Sequence, residues 1–147
     1  MSRILAIDYG SVRIGIAVSD PEQIIATGLA TVANSEVFIF LADYIKKEKV
    51  ESIVVGEPKH MDNKPAQNSE GTEKFISKVM AAFPGLPIYR VDERLTSRMA
   101  FQAMIDGGMR KKDRQNKGMV DKVSAVLILQ LFMEMKKEGK LPPSISA

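Results

Sequence analysis

Three carboxylates fall at places in the sequence where an acidic side chain is poorly suited to a purely structural role. Asp8 and Glu93 each close an apolar, β-rich run, and Asp121 leads into the apolar stripe of a long C-terminal helix. Aspartate is a poor strand residue, and a carboxylate is costly to bury unless it is paired or bound to a metal. If the three groups converge, their hard oxygen atoms suit Mg²⁺ or Mn²⁺. Two such ions about 4 Å apart activate water and stabilise the leaving oxygen in phosphodiester hydrolysis.

Each of these acidic positions also has a purely structural interpretation. Asp8 could hydrogen-bond the turn at Tyr9-Gly10, and Asp92 could cap the helix that follows it. Asp121 could stabilise the dipole of its helix as a first-turn carboxylate, which for this residue alone is the simpler reading. The functional interpretation therefore depends on whether the three positions come together.

Side-chain alternation along the last strand distinguishes the neighbours Asp92 and Glu93. Successive strand residues point to opposite faces of a sheet. Glu93 therefore shares the face of Tyr89 and Val91, whereas Asp92 shares the face of Arg90. We predict that Glu93, and not Asp92, is the inward-facing group.

The pattern of apolar residues predicts the elements that must position these groups. Runs of β-forming residues predict strands over 3–8, 13–19, 24–32 and 52–56, and a last strand from Ile88 to Asp92 or Glu93. Asn34-Ser35-Glu36 offers an N-cap to a first helix that ends near Lys49, and Pro84-Gly85 stops a second. Two more helices are predicted, one from Thr96 or Ser97 to about Asp106 and a buried one from about Met119 to Lys137.

The order of these elements, βββαβαβαα, predicts an α/β fold. Three antiparallel strands are followed by parallel strands that join through right-handed crossovers, so that a mixed five-stranded sheet carries helices on both faces. The first strand should be central, and ligands bind at the carboxyl ends of parallel strands in open sheets. Asp8 and Glu93 should then share one rim of the sheet, and Asp121 joins them if the last helix crosses that rim.

Length and composition limit what kind of protein this is. A chain of 147 residues that is 45% hydrophobic supports one core, and we predict a single domain over 1–140 with a C-terminal tail over 141–147. The absence of cysteine excludes disulfides, thiol nucleophiles and cysteine-ligated zinc. We find neither a signal peptide nor an apolar stretch long enough to cross a membrane. A cytoplasmic protein that does not contact membranes is expected.

Positive charge is concentrated in the segment 110–117. Five basic residues against one acidic residue give it a formal charge of +4, compared with +3 for the whole chain. The basic residues are Arg110, Lys111, Lys112, Arg114 and Lys117. Local positive charge on a nearly neutral body suggests a phosphodiester backbone as partner, although many solvated loops have the same pattern.

Other polar residues lie near the predicted rim. Arg94 follows Glu93 directly and could clamp a scissile phosphate or simply neutralise the adjacent carboxylates. Lys59 and His60 lie in the loop after the fourth strand, where Lys59 could contact nucleic acid and a solvated loop residue is the simpler interpretation of His60.

Four segments, in order along nearly the whole chain, resemble the bacterial YqgF family of pre-16S ribosomal RNA nucleases, also called Holliday-junction-resolvase-like. The segments are Ile7-Asp8-Tyr9-Gly10-Ser11-Val12-Arg13-Ile14-Gly15-Ile16-Ala17-Val18-Ser19-Asp20, Val55-Gly56-Glu57-Pro58 with Met61-Asp62, Asp92-Glu93-Arg94-Leu95-Thr96-Ser97, and Asn116-Lys117-Gly118-Met119-Val120-Asp121 followed by Ser124-Ala125 and Ile128-Leu129. The run from Asp92 to Ser97 is the most specific, because actin-type ATPases begin much as the first segment does. A chain of this length has no room for the second domain that such an ATPase needs.

The resemblance implies an RNase H-like fold and a metal-dependent nuclease that processes the 5′ end of pre-16S ribosomal RNA. It implies that Asp8, Glu93 and Asp121 are the catalytic residues and hold Mg²⁺ or Mn²⁺, and that Arg13 lies beside the turn after the first strand, where it could contact phosphate. Resolvases of this fold usually carry a second acid one turn after the helix aspartate. Ser124 stands at that place here, so a second metal position would lack this carboxylate.

Two other functions remain open at this stage. The same chemistry could act on branched DNA, as in a Holliday-junction resolvase, or the chain could be a non-catalytic RNA-binding assembly or transcription factor. The expected partner is a ribosomal RNA precursor or another structured nucleic acid. We expect the protein to be a monomer or a weak homodimer.

Overall fold

A computed structural model describes residues 2–10, 12–57, 69–92, 117–141 and 144, and at 57, 69–70, 92 and 117–122 it describes the backbone only. Within these residues there are five strands and three α-helices, in the order β1 (Arg3–Asp8), β2 (Arg13–Ser19), β3 (Ala26–Ala33), α1 (Val37–Lys47), β4 (Val50–Glu57), α2 (Ser69–Ala82), β5 (Ile88–Asp92) and α3 (Lys117–Lys137). A short 3₁₀ turn, Asn34–Glu36, joins β3 to α1. The helix predicted from Thr96 or Ser97 to about Asp106 lies outside the described residues.

The strands form one mixed sheet in the order β3-β2-β1-β4-β5. Adjacent strands are antiparallel from β1 to β3, whereas β1, β4 and β5 are mutually parallel. The predicted meander, the parallel crossover and the central place of β1 are all confirmed. The carboxyl ends of β1, β4 and β5 therefore meet at one rim of the sheet.

Helices cover both faces of this sheet, as predicted. The face that carries Leu5 and Ile7 of β1 packs against α1 and α2. The opposite face, which carries Ile4 and Ala6, packs against α3. Because β1 is covered on both sides, its sequence is continuously apolar until Asp8.

Apolar residues of α3 cover the sheet face that carries Ile4 and Ala6. Its residues Ala125, Ile128, Leu129 and Phe132 are buried against the sheet, and Leu141, just beyond the helix, packs on the same cluster. The described helices include none that is long and apolar enough to cross a membrane.

Two sequence expectations about helix starts are wrong. α3 begins at Lys117, two residues before the predicted Met119, so that Asp121 lies in its second turn and not in its first. No side chain caps α1 or the preceding 3₁₀ turn. The Asn34 side chain instead donates a hydrogen bond of 2.8 Å to the carbonyl oxygen of Gly10.

Replacement of Phe132 by alanine tests the contribution of the α3 layer. The Phe132 ring is buried and lies 4.9 Å, centroid to centroid, from the ring of Tyr89 in β5. Loss of such a buried ring lowers the free energy of unfolding by about 3–5 kcal/mol. Urea denaturation measures this change, and Gln130→Ala, an exposed position on the same helix, should stay within about 0.5 kcal/mol of the parent. A loss below about 1 kcal/mol for Phe132→Ala would contradict this packing.

Candidate active site at the carboxyl ends of the parallel strands

Asp8 is the last residue of β1, and its side chain is only 6% exposed. Its direct neighbours across the sheet are Gly15 of β2 and Gly56 of β4. Neither neighbour has a side chain, so the adjacent strands place no bulk beside the Asp8 carboxylate. Burial of a carboxylate is costly unless the group is paired or bound to a cation, so hydrophobic packing alone does not explain an acid at this position.

The ends of β4 and β5 lie at the same level of the sheet. Gly56, the neighbour of Asp8, pairs with Val91 of β5, and the next pair is Glu57 with Asp92. The sequence predicts that the fourth strand ends at residue 56, but β4 extends one residue further, to Glu57. The signal that could have found it is the one used for Asp8, an acidic residue directly after an apolar strand.

The alternation predicted for β5 is confirmed up to the end of that strand. The Tyr89 ring packs on Phe132 of α3, whereas Arg90 forms an ion pair with Glu73 of α2 on the opposite face. β5 ends at Asp92, so Glu93 lies just outside the described residues. Its assignment to the α3 face remains a prediction.

α3 runs antiparallel to β1 and β4, and the contacts of Lys136 establish this direction. The Lys136 ammonium group lies 2.7 Å from a carboxylate oxygen of Glu51 at the start of β4 and 2.6 Å from the amide oxygen of Gln23. The C-terminal end of α3 thus lies at the end of the sheet where β1 and β4 begin. Its N-terminal end must lie towards the opposite rim, which carries Asp8.

The anchor at Lys136 is a connected polar network. Burial raises the pKa of Glu51, but hydrogen bonds from Lys136, Ser2 and Gln23 outweigh this effect, so the pKa of Glu51 is lowered overall. The Ser2 hydroxyl and the Gln23 amide both donate to the carboxylate oxygen that does not bind Lys136. The network fixes the end of α3 that lies farthest from the rim.

Towards the N-terminal end of α3, the distance along the helix from Ala125 to Asp121 matches the distance along β1 from Ala6 to Asp8. Ala6 and Ala125 belong to one core cluster, and small residues there let the helix approach the sheet. From Ala6 to Asp8 the strand advances by about 6.6 Å, and from Ala125 back to Asp121 the helix advances by about 6 Å. Because the elements are antiparallel, both steps lead towards the rim. The backbone therefore brings the Asp121 position towards Asp8.

The observed start of α3 weakens the purely structural explanation of Asp121, in which its carboxylate stabilises the helix dipole. The interaction of a carboxylate with the helix dipole weakens beyond the first turn, and Asp121 is the fifth residue of α3. A dipole-stabilising role thus explains this residue less well than it did from the sequence. Ser124, which occupies the place of the second acid of resolvases, is buried.

The loop after Asp8 is held by backbone and side-chain contacts. A Cβ atom on Gly10 would lie 2.3 Å from the carbonyl oxygen of Arg13, so that only glycine fits without a shift of the backbone. Asn34 binds the Gly10 carbonyl from the other side, and the Tyr9 ring packs on Phe75 of α2 at 5.1 Å. Arg13, a predicted phosphate contact, is the half-buried first residue of β2, at the same end of the sheet as Asp8.

The other predicted nucleic-acid contacts lie mainly outside the described residues. Lys117 is the first residue of α3, at the rim end of the helix. The residues that lie outside the described part of the chain are Lys59, Arg94, Arg110, Lys111, Lys112 and Arg114, together with His60. Their roles remain predictions.

The donors assigned to the site would suit a hard divalent cation. Carboxylate oxygens are the preferred ligands of Mg²⁺ and Mn²⁺, and Asp8 shares the face of Ile4 and Ala6, which packs against α3. Among the described side chains no three histidine, aspartate or glutamate residues come together. Of the predicted ligands only Asp8 has a described side chain, so the metal site as a whole stays a prediction.

A family model described as a Holliday junction resolvase, RuvX, matches residues 2–135. The chain belongs to the RuvX family. This confirms the resemblance to the YqgF family, because the two names denote the same family. RuvX membership and the names of the relatives indicate a hydrolase of phosphodiester bonds, that is, a nuclease.

Curated relatives match over nearly their full length. A protein of Flavobacterium psychrophilum is 54% identical over 92% of this chain and 99% of its own length, and one of Phocaeicola vulgatus is 51% identical over 93% and 99%. Both are named "Putative pre-16S rRNA nuclease".

A solved structure shares the fold. Thermus thermophilus RuvC in complex with a Holliday junction substrate matches with a TM-score of 0.64 over 96% of this chain and 99% of RuvC, at 16% identity. The similarity confirms the RuvC-like α/β fold and, at this identity, the fold alone.

Metal binding can be tested through thermal stability. A cation that binds only the folded state raises the melting temperature. Mn²⁺ should therefore stabilise the parent protein, and Asp8→Asn or Asp121→Asn should reduce that stabilisation. Asp43→Asn removes an exposed carboxylate of α1, which pairs with Lys47, and should leave the Mn²⁺ response unchanged. An undiminished response in both rim variants would exclude this site.

Proposed function

We propose that this RuvX protein is a metal-dependent endonuclease that processes the 5′ end of pre-16S ribosomal RNA during ribosome biogenesis. The observation that carries the proposal is the buried Asp8 between two glycines at the rim towards which α3 directs the Asp121 position. The relatives' shared name supports ribosomal RNA as the substrate. Such a role places the protein in the cytoplasm, as a monomer or a weak homodimer.

The proposed metal ligands are Asp8, Glu93 and Asp121, and the ion is Mg²⁺ or Mn²⁺. Resolvase-like nucleases depend on divalent metals in general. When bound, the metal supplies an activated water and stabilises charge on the leaving oxygen. Asp8 contributes a carboxylate at the end of the central strand, Asp121 would approach it from α3, and Glu93 would approach it from the end of β5, on the far side of β4.

The proposed role of the basic residues is to hold the phosphodiester backbone across this rim. Arg94, next to Glu93, would clamp the scissile phosphate, and Arg13 and Lys59 would contact flanking phosphates. The segment 110–117 precedes and enters α3, so its charge would lie on the rim side of the molecule. With six Phe, three Tyr and no Trp, the chain is poorly supplied for base stacking. Recognition would therefore rely on backbone charge and shape.

Branched DNA is the second candidate substrate. The description of the RuvX family as a resolvase and the fold shared with RuvC favour it. The RuvC similarity is at 16% identity, whereas the relatives named for pre-16S RNA reach about 50% over their full length. The closer similarity favours RNA.

Cleavage of two substrates by highly purified protein tests the proposal. The parent should cut an RNA with a 16S leader in Mg²⁺ or Mn²⁺ faster than it cuts a four-way DNA junction. Asp8→Asn, purified identically, should have no activity above background. Preferential junction cleavage would assign the protein to branched DNA, and RNA binding without metal-dependent turnover would indicate a non-catalytic RNA-binding assembly or transcription factor.

The neighbours Asp92 and Glu93 give an internal test of the site. Glu93→Gln should abolish most RNA cleavage with little change in RNA affinity, because an acid that acts on the transition state affects kcat more than binding. Asp92→Asn should act mainly through stability. Single-turnover cleavage, RNA binding and urea denaturation of both variants separate the two effects. The reverse pattern would mean that the alternation of side chains along β5 is shifted by one residue, so that Asp92 and not Glu93 faces the site.

The basic segment can be tested through the salt dependence of RNA binding. Replacement of Arg110, Lys111, Lys112 and Arg114 by alanine should weaken binding to unrelated RNA sequences. Each lost single-strand phosphate contact should reduce the slope of log affinity against log salt by up to about 0.7. Binding isotherms at several salt concentrations measure this slope. Coincident slopes for variant and parent would indicate a solvated loop.

A further inference from the structure

Asn34 donates two hydrogen bonds to the loop that follows Asp8. Its side-chain amide lies 2.8 Å from the carbonyl oxygen of Gly10, and its backbone N–H lies 2.9 Å from the carbonyl oxygen of Val12. One residue thus binds two carbonyl groups of the loop between β1 and β2. Because Asn34 is 24 residues from Gly10 in sequence, these contacts depend on the folded sheet.

The sheet fixes the place from which Asn34 acts. Ala33, the last residue of β3, pairs with Arg13, the first residue of β2. Asn34 follows Ala33 directly and begins the 3₁₀ turn that leads into α1. It is therefore attached to a strand on one side and, through this turn, to a helix with buried residues on the other. A residue held at both ends is a rigid support for a neighbouring loop.

Asp8 depends on such support because it forms the last pair in two strand ladders. Its partners are Gly15 of β2 and Gly56 of β4, and the pairing of β1 ends with them on both sides. The ends of secondary-structure elements open more easily than their centres. Contacts that hold the chain just beyond Asp8 therefore determine how well the position of its carboxylate is defined.

The loop is also closely packed against its other neighbours. A Cβ atom on Gly10 would lie 2.3 Å from the carbonyl oxygen of Arg13, so the backbone is in close contact with itself there. Towards α2, a Cβ atom on Gly71 would lie 3.0 Å from the Tyr9 hydroxyl oxygen. In such a closely packed loop, a change in the hydrogen bond at Gly10 is transmitted to the adjacent residues.

We propose that Asn34 is a positioning residue for the nuclease site, which fixes the Asp8 carboxylate through the bond from its amide to the Gly10 carbonyl. This role rests on the metal site proposed above. Removal of a group that orients a metal ligand typically reduces metal affinity or activity by about 10–100-fold. Asn34 acts through the loop and not on the carboxylate itself, so the effect should lie at the lower end of this range.

Aspartate at position 34 separates this role from a role in starting α1. Aspartate has nearly the size of asparagine and suits the start of a helix at least as well, because its charge stabilises the helix dipole. It has no N–H to donate, and its carboxylate would face the Gly10 carbonyl oxygen. A helix-start role therefore predicts that Asn34→Asp is harmless. The positioning role predicts that it is at least as damaging as Asn34→Ala.

The Mn²⁺ concentration that gives half-maximal thermal stabilisation tests the proposal on the full chain. Asn34→Ala and Asn34→Asp should each raise this concentration about tenfold. The carboxylate added in Asn34→Asp by itself attracts cations, so weaker Mn²⁺ binding in this variant reports the loop and not the charge. Ser35→Asp adds the same charge at the adjacent exposed residue and should not weaken Mn²⁺ binding.

Single-turnover cleavage at saturating RNA gives a second readout. At low Mn²⁺ the rate should fall about tenfold in both Asn34 variants, and it should recover in part at high Mn²⁺. RNA affinity without metal should stay within about twofold of the parent, because binding of the RNA backbone does not require the metal site. Urea denaturation defines the conditions under which every variant is folded. A loss of stability alone does not change the Mn²⁺ dependence of the folded protein.

Amide hydrogen exchange without metal separates failure of this role from failure of the proposed function. The peptide that carries Gly10 and Val12 should exchange faster in both Asn34 variants than in the parent. A parent that does not respond to Mn²⁺ would overturn the metal site and this role together. A responsive parent would overturn this role alone if Asn34→Asp kept the parental Mn²⁺ dependence, or if loop exchange stayed unchanged.

Discussion

The close packing of α3 against β1 and β2 is the constraint on which the candidate site depends. Asp8 and Asp121 are more than a hundred residues apart in sequence, and only the direction of α3 brings their backbone positions towards one rim. Alanine at positions 6, 17 and 125 allows the close approach, and Phe132 fills the space nearer the other end. The Lys136 network fixes the helix end at the start of β4. A helix that packed in the opposite direction would carry Asp121 away from the rim that holds Asp8.

Much of this arrangement can be predicted from the sequence, because the spacing of apolar residues indicates which side chains are buried. The run before Asp8 predicts a strand covered on both faces, and the alternation through Tyr89 and Arg90 predicts which layer each residue meets. Other features depend on contacts between distant residues. Asn34 has the sequence character of a helix cap, yet it binds the Gly10 carbonyl, a choice that depends on where the first loop lies. Glu57 looks like a loop residue until pairing with Asp92 extends β4.

The first residues of α3 show a further limit of prediction from sequence. Gly118 is a weak helix former, and local propensity places the helix start after it. In the structure the helix begins at Lys117, since packing of the long apolar stripe can outweigh one unfavourable residue. This change of two residues moves Asp121 into the second turn and weakens its explanation as a dipole-stabilising acid. A small error in a helix boundary can therefore change the interpretation of a functional residue.

The RuvX chain combines a fold shared with a junction resolvase and relatives named for ribosomal RNA. Substrate choice depends on loops and edges, which differ between proteins of one fold. The central claim is that Asp8, Glu93 and Asp121 form one metal site. Anomalous scattering from a crystal of the full chain grown with Mn²⁺ tests it most directly. The account predicts a Mn²⁺ peak about 2.1 Å from carboxylate oxygens of Asp8, Glu93 and Asp121. A rim without a peak, or Mn²⁺ bound only elsewhere on the surface, would contradict it.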